Sequence, residues 1–191
     1  MVGSNELYHG APILAGLGAE KSGVDLVYLM VPVNQQNLAR QFSPNLIVDT
    51  FKGKHLRPLD VGHVVDWTKK VDVMAIGNGL GEKPQTLRAV KMILQRVTCK
   101  LVVDAAALQA FVQAKETKAS EVVVTPHRGE FGRMIGKDLE KASDKDLEKL
   151  AREKAKQWHA VIVLKTPQTL ICSPEGELHW NTSGHPIMTK G

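Results

Sequence analysis

Cysteine is scarce in this chain, which has only Cys99 and Cys172 among 191 residues. The two thiols are far apart in sequence, and neither belongs to a CxxC pair or to a His/Cys group with the spacing of zinc ligands. Disulfide scaffolds and structural zinc modules need more cysteines in closer groups. The cysteine content therefore excludes both classes and predicts a reduced protein in the cytoplasm.

Long apolar runs and a secretory signal are also missing. The longest apolar stretch, residues 26–33, has the length of a strand, whereas a helix that crosses a bilayer needs about 18 apolar residues. The first residues contain neither the basic nor the apolar region of a signal peptide. We therefore expect no membrane partner.

Two common catalytic motifs are absent as well. There is no GxxxxGK[ST] phosphate loop, which disfavours Walker-type nucleotide hydrolysis, and no GxSxG turn, which argues against an α/β-hydrolase. The net charge of +5 is compatible with a nucleic-acid partner, but the densest lysines, in residues 141–156, are interleaved with Asp and Glu as on a solvated helix face. We expect small phosphorylated ligands and no nucleic acid.

Short apolar runs alternate with amphipathic segments along the whole chain. The predicted strands are residues 25–31, 46–51, 72–76, 101–104, 122–124 and 160–164, followed by a hairpin of residues 169–173 and 178–181. The predicted helices cover residues 11–22, 63–70, 87–97, 105–113 and 144–158. This alternation is typical of βαβ units and predicts one α/β domain, residues 1–191, with a mainly parallel sheet.

The segment Thr125–Phe131 follows a β-branched strand and precedes a predicted helix over residues 131–136. His127, Arg128 and Glu130 would then lie in a strand-to-helix turn at the carboxyl edge of the sheet, where ligands bind in open α/β folds. Three ionisable side chains there indicate a candidate site. The alternative is a solvated loop in which Glu130 only favours the positive end of the next helix.

Three more strand ends carry polar or glycine-rich turns. Gly77–Gly81 is a GxGxG segment, Asp104 ends the next strand, and Lys165 ends the last parallel strand. Because parallel strands share their carboxyl side, we expect all of these turns on one edge. Each also has a purely structural interpretation, namely a tight turn for the glycines, a helix cap for Asp104 and a surface side chain for Lys165.

Taken together, these segments resemble the NAD(P)H-hydrate dehydratase family, which has a ribokinase-like fold. The similar segments occur in the family's order over nearly the whole chain: His9–Pro12, Ile76–Gly81, Val103–Ala105, Thr125–Phe131 and Val163–Lys165. The TPHxGEF turn is the most specific of them. The resemblance implies a three-layer α/β/α sandwich with a mainly parallel sheet.

The resemblance also implies a function. Family members use ADP or ATP, with Mg²⁺ as the expected metal, to dehydrate hydrated NADH or NADPH. The nucleotide phosphorylates the added hydroxyl, and phosphate then leaves to restore the nicotinamide ring. A homo-oligomer is expected on the same basis.

The implied site residues fall into three sets. One set matches positions that hold the hydrated dinucleotide: Ala11, Gly79 and His127. Another matches the segment that binds the adenine nucleotide: Lys165, Thr166, Pro167, Gln168 and Thr169. The third set, expected near the phosphates or the metal, is Asp104 and Glu130.

Several positions depart from the family pattern. Arg128 stands where TPHPGEF has proline, Asn78 where GPGLG has proline, and Ala106 where a second aspartate is usual. Residues 166–168 replace a Gly-Ala-Gly sequence, so we expect a nucleotide loop that is less open to a phosphate. His185 and Ile187 are two further departures, because the family usually has Asn and Gly at these positions.

The family's GGTGD segment, whose amides form an anion hole and whose aspartate is the expected base, would begin near Gly191. The catalytic aspartate is therefore expected beyond Gly191, and the family's first strand would precede Met1–Ser4. We expect the chain to be a segment of a longer protein. Two other hypotheses remain open, namely a small-molecule kinase of the hydroxyethylthiazole-kinase type and a nucleotide-binding module without catalysis.

Overall fold

The apolar runs form strands and the amphipathic segments between them form helices. The computed structural model describes residues 1–184. His185 and Ile187, the last two departures named above, lie outside the described residues. The chain divides into two compact units, Met1–Ser120 and Glu121–Gly191, which are described separately below.

Helices and strands alternate in the first unit, as predicted. Its helices are α1 (Gly10–Lys21), α2 (Gln36–Arg40), α3 (Val61–Thr68), α4 (Pro84–Leu94) and α5 (Ala107–Ala114). Its strands are β1 (Val27–Pro32), β2 (Leu46–Phe51), β3 (Val73–Ile76) and β4 (Lys100–Val103). Helix α2 was not predicted, because its 5 residues are too few to show a helical period.

The strands of the first unit pair in parallel. Strand β1 pairs with β2 from Val27↔Leu46 onward, and β3 pairs with β4 from Val73↔Lys100 onward. Val2 forms parallel bridges to both Met30 and Ile76, so it connects β1 with β3. The parallel register places the ends of β3 and β4, and therefore the loops that follow them, side by side.

Buried aliphatic side chains form the interior of the first unit. One cluster lies between β1, β2 and the helices α1 and α2: Ile13, Val27, Leu29, Val31, Ala39, Leu46 and Val48. Helix α4 buries a continuous stripe that is wholly shielded from solvent: Ala89, Val90, Ile93 and Leu94. Burying each large aliphatic side chain contributes about 1.5–3 kcal/mol, so this packing stabilises the first unit.

The second unit contains parallel and antiparallel strands. Its elements are β5 (Val122–Val124), α6 (Arg128–Ile135), α7 (Asp144–Trp158), β6 (Val161–Leu164), β7 (Thr169–Cys172) and β8 (Leu178–Asn181). Strand β5 pairs in parallel with β6, while β6–β7 and β7–β8 are antiparallel. The predicted hairpin and the α/β class with a mostly parallel sheet are therefore confirmed.

Helix α7 begins where the sequence predicts. The Ser143 Oγ accepts a hydrogen bond from the Asp146 backbone N–H at 3.3 Å, and the Asp146 carboxylate accepts one from the Ser143 N–H at 3.1 Å. This reciprocal cap satisfies two backbone donors that the helix itself leaves unpaired. Trp158, the last residue of α7, packs edge-on against the buried ring of Phe131 in α6, with ring centroids 6.3 Å apart.

Candidate active site

The loop that follows β3 depends on glycine at position 77. Gly77 has φ +128°, and a Cβ atom there would lie 1.8 Å from the carbonyl oxygen of Asp104. The Asp104 backbone N–H donates to the Ile76 carbonyl oxygen at 3.1 Å, which extends the β3–β4 pairing by one step. No side chain fits at position 77, because the two strand ends are in direct backbone contact.

Glycine is also required at position 79, where the backbone of Tyr8 packs against the α-carbon. It has φ +73°, and a Cβ atom there would lie 2.5 Å from the carbonyl oxygen of Tyr8. The space beside the Gly79 α-carbon is thus occupied by the loop that precedes α1. A role for Gly79 in holding a flat ligand stays a prediction, and its neighbour Tyr8 is 58% exposed at the same place.

The loop before α1 is held by buried polar groups that the sequence interpretation missed. The Ser4 hydroxyl donates to the Gln35 side-chain oxygen, and the Ser4 N–H donates to the Asn78 carbonyl oxygen at 2.9 Å. The Asn5 side-chain oxygen accepts the backbone N–H groups of Leu7 at 2.7 Å and Tyr8 at 3.0 Å. The signal available in the sequence was Asn5, because asparagine side chains often accept backbone N–H groups of a turn that follows them.

Asp104 is half-buried and is held by the loop after β3. Its Oδ2 accepts a hydrogen bond from the Asn78 side-chain nitrogen at 3.0 Å. Asn78 is the residue that replaces a proline of the family pattern, so this departure adds a donor to the carboxylate. The N-cap residue of α5 is Ala106, whose side chain makes no capping bond. The Gly77–Gly81 loop and Asp104 are therefore brought together, as predicted for adjacent strand ends.

Ala11 lies in the first turn of α1 with its methyl group exposed, while the next two residues, Pro12 and Ile13, are buried. The first turn of α1 carries no acidic residue, and its N-cap residue, His9, makes no side-chain capping bond. Ala11 is accessible to a ligand, but its role in binding the dinucleotide stays a prediction.

His127 is the N-cap residue of α6, which the sequence did not predict. Its Nδ1 accepts the backbone N–H of Gly129 at 3.1 Å and of Glu130 at 3.3 Å. In return, Glu130 Oε2 accepts the His127 backbone N–H at 2.8 Å. A neutral imidazole that accepts through Nδ1 carries its proton on Nε2, and the side chain is 55% exposed. Nε2 itself lies 3.5 Å from Glu130 Oε2, so the same carboxylate faces this ring nitrogen.

Helix α6 begins at Arg128 rather than at Phe131, so the predicted start of this helix was three residues late. Arg128 and Glu130 lie in its first turn, not in a free loop. The reason is that His127-x-x-Glu130 acts as a capping box with histidine in the usual place of Ser or Thr. Glu130 thus completes the cap, and its carboxylate is also favoured by the positive helix end, while its role near the phosphates or the metal stays a prediction.

Lys165 lies beside the histidine turn. His127 and Lys165 form an isolated parallel bridge, and the Lys165 backbone N–H donates to the Pro126 carbonyl oxygen at 2.8 Å. The lysine side chain is exposed. In the turn that follows, the Thr166 hydroxyl donates to the Gln168 carbonyl oxygen. Within the second unit, the structure therefore brings together the predicted substrate histidine and the predicted nucleotide segment.

Residues 1–184 contain no group of three or more His, Cys, Asp or Glu side chains placed to hold a metal ion. Within the same part of the chain, no helix has both the length and the apolarity needed to cross a bilayer.

Comparison with known proteins identifies the family. The family described as NAD(P)H-hydrate dehydratase matches residues 1–191 of this chain. The chain belongs to the NAD(P)H-hydrate dehydratase family. An ADP-dependent (S)-NAD(P)H-hydrate dehydratase of Nitrosopumilus maritimus is 38% identical over 174 residues, which cover 90% of this chain and 60% of that protein.

A bifunctional NAD(P)H-hydrate repair enzyme of Methanopyrus kandleri is 31% identical over 195 residues, covering 100% of this chain but 36% of the relative. The chain thus spans about a third of the length of such bifunctional relatives. Among solved structures, the ADP/ATP-dependent NAD(P)H-hydrate dehydratase of Bacillus subtilis, co-crystallised with ATP and Mg²⁺, is 29% identical with a TM-score of 0.76, covering 100% of this chain and 67% of that one.

A ribokinase-like superfamily protein of Enterococcus faecalis is 25% identical with a TM-score of 0.79, covering 100% of this chain and 64% of that chain. Together with the Bacillus subtilis structure, it confirms the ribokinase-like fold that the motifs predicted.

Proposed function

We propose that this protein repairs nicotinamide nucleotides by the ADP- or ATP-dependent dehydration of hydrated NADH or NADPH. The observation that carries the proposal is the family match along all 191 residues. The geometry supports it, because the segments that bear the resemblance fold into two defined turns. One joins Asn78 to Asp104, and the other joins His127 to Lys165.

The proposed reaction has two steps. The hydroxyl on the hydrated ring loses its proton to a base and attacks the terminal phosphorus of the nucleotide. A P–O bond forms, and the bond to the bridging oxygen breaks to release AMP from ADP or ADP from ATP. The phosphate ester then loses phosphate with its C–O electron pair as an adjacent ring carbon loses a proton. The new double bond restores NADH or NADPH.

His127 suits a substrate-positioning role in this scheme. Its Nδ1 is used by the helix cap, so the imidazole is oriented by two backbone donors. Nε2 lies 3.5 Å from Glu130 Oε2 on a side chain that is 55% exposed, and it is the ring nitrogen left to donate to a ligand. A carboxamide or hydroxyl oxygen of the dinucleotide is a suitable acceptor. A rigid donor loses little conformational entropy when the ligand binds.

Lys165 suits the adenine nucleotide. Its backbone is fixed by the bond to Pro126, and its exposed ammonium can approach a phosphate as a point charge. Proteins often hold Mg²⁺ through one or two carboxylates plus the phosphates of a bound nucleotide. The half-buried carboxylate of Asp104 fits that pattern, whereas the described residues offer no all-protein cage. Magnesium would neutralise phosphate charge.

An optical assay tests the proposal. Hydrated NADH or NADPH is incubated with the protein and either ADP or ATP, and recovery of the absorbance of the reduced nicotinamide is measured. We expect recovery that requires the nucleotide. Formation of a phosphorylated thiazole alcohol with no recovery from the hydrates would instead favour a small-molecule kinase, and nucleotide binding without any turnover would favour a non-catalytic module.

The cytoplasmic location and the homo-oligomer are further parts of the proposal. The location is supported by the low cysteine content. The oligomer is supported by the family resemblance alone. Analytical ultracentrifugation of the protein at several concentrations tests it, and a monomer at all of them would contradict it.

A further inference from the structure

A cavity lies along one face of α6, next to the histidine turn described above. Its volume is about 660 Å³, and it is bounded by one face of α6 and by the segment 137–140 that follows the helix. Pockets for small ligands commonly have volumes of about 300–1,000 Å³. The cavity is therefore large enough for part of a nucleotide.

Backbone packing keeps this cavity in place. A Cβ atom at Gly132 would lie 2.6 Å from the carbonyl oxygen of Lys137, so the segment after α6 returns in direct contact with the helix backbone. Gly136 ends the helix in the left-handed conformation, with φ +67°. Leu139 is buried and anchors the returning segment. The wall of the cavity is thus fixed by the fold.

Cations outnumber carboxylates in the lining. Arg128, Arg133 and Lys137 contribute positive charges, whereas Asp138 and Glu140 contribute the negative ones. The Asp138 carboxylate accepts the Glu140 backbone N–H at 2.9 Å. The lining therefore has a net positive charge, which favours an anionic ligand, although the Glu140 carboxylate would repel such a ligand.

Arg128 is held in a defined position. Its Nη1 donates to the Glu140 carbonyl oxygen at 3.1 Å. That bond uses one of the five N–H donors of the guanidinium. Arginine binds phosphate through two parallel hydrogen bonds when its fork is oriented in advance. Arg128 is also the residue that replaces the proline of the family's TPHPGEF pattern, so this donor is a property of the present chain.

The cavity adjoins the proposed substrate histidine. His127 Cε1 lies 3.1 Å from the position that a Cβ atom on Gly129 would take, and Gly129 lines the cavity. The imidazole therefore lies over the glycine at one end of the cavity. A dinucleotide positioned by His127 can extend into it.

We infer that this cavity binds the ribose 2′-phosphate that distinguishes hydrated NADPH from hydrated NADH, with Arg128 as the specificity-determining residue. The inference rests on the proposed function for the identity of the substrate. The physical basis is general, since arginine recognises the 2′-phosphate in other NADP-binding proteins. Arg133 and Lys137 add charge to the same cavity.

The test measures binding and turnover separately. Calorimetry compares adenosine 2′,5′-bisphosphate with adenosine 5′-monophosphate on the wild-type protein and on three variants. Arg128→Gln removes the fork, Glu140→Gln removes an opposing charge but keeps the carbonyl that holds Arg128, and Lys145→Gln removes an exposed charge outside the cavity lining. Kinetics then give the ratio of kcat/KM for hydrated NADPH and hydrated NADH.

We expect the wild type to prefer the bisphosphate. Arg128→Gln should weaken bisphosphate binding about tenfold or more, as expected for hydrogen bonds to a charged group. Glu140→Gln should strengthen it, and Lys145→Gln should leave it unchanged. The kinetic preference for hydrated NADPH should fall in Arg128→Gln only.

Other results overturn the inference. Equal binding of the two adenosine phosphates to the wild type contradicts it, and so does bisphosphate affinity that is the same in Arg128→Gln and Lys145→Gln. The wild type could prefer the bisphosphate, and Arg128→Gln could lose that preference, while neither hydrate is dehydrated. In that case the proposed function fails and the phosphate site stands. If both hydrates are dehydrated with a ratio that Arg128→Gln does not change, the inference alone fails.

Discussion

Replacing His127 separates its two roles, the helix cap and the substrate contact. His127→Ala removes the acceptor for the Gly129 and Glu130 backbone N–H groups, whereas His127→Ser keeps an acceptor oxygen but has no donor at the position of Nε2. Losing an N-cap costs about 0.5–2 kcal/mol. We therefore expect His127→Ala to lower the free energy of unfolding by about 1 kcal/mol, and His127→Ser to lower it by less.

The effect on ligand binding should follow a different order. Both variants lack the Nε2–H donor, whose neutral hydrogen bond is worth about 0.5–1.5 kcal/mol, or roughly two- to tenfold in affinity. Both should therefore bind the hydrated dinucleotide more weakly to a similar extent. Urea unfolding measures the change in the free energy of unfolding, and calorimetric titration measures the change in affinity for the hydrated dinucleotide.

Ser143→Ala is the matched control, because it removes the cap of α7 at a distance in sequence from the histidine turn. It should lose about 1 kcal/mol of unfolding free energy without weakening ligand binding. A His127→Ala variant as stable as the wild type would contradict the capping role, and a His127→Ser variant that binds the hydrated dinucleotide as tightly as the wild type would contradict the substrate contact.

Three further predictions concern other parts of the chain. Gly77→Ala should destabilise the first unit by several kcal/mol, because the alanine would combine a positive φ with a backbone clash. Gly18→Ala, at an open helical position, should instead stabilise the protein by about 0.5–1 kcal/mol. Urea unfolding measures both changes. Hydrogen bonds from Ser143 lower the pKa of Asp146, so its stabilising effect is present above the unfolded-state pKa and is lost as pH falls through the lowered value. The stability gap between the wild type and Asp146→Asn should therefore close on acidification, and a gap that widens would contradict the cap. Lys165→Ala should weaken ADP or ATP binding in calorimetry, and unchanged affinity would remove Lys165 from the nucleotide site.

Local patterns predicted most of the elements. The start of α7 was correct because Ser143-x-x-Asp146 is a known capping sequence, and strands such as β4 follow directly from β-branched runs. The start of α6 was wrong because histidine is an uncommon N-cap residue. In that case the imidazole acts through Nδ1, a detail that only the three-dimensional contacts reveal.

Contacts between distant residues were not predictable from one sequence. The glycines of residues 77–81 were identified, but the reason for Gly79 is the carbonyl of Tyr8, which is far from it in sequence. The bond between Asn78 and Asp104 likewise requires the β3–β4 register. Such contacts depend on how the strands pair, and the sequence pattern does not contain that information.

We propose that a phosphorylated hydrate is the intermediate of repair. The most direct measurement is the stoichiometry of turnover with hydrated NADPH and ADP, in which AMP, phosphate and NADPH are quantified together. We expect the three products to appear in equal amounts and only when the hydrate is present. Phosphate release without the hydrate, or a phosphorylated product that accumulates without recovery of NADPH, would contradict it.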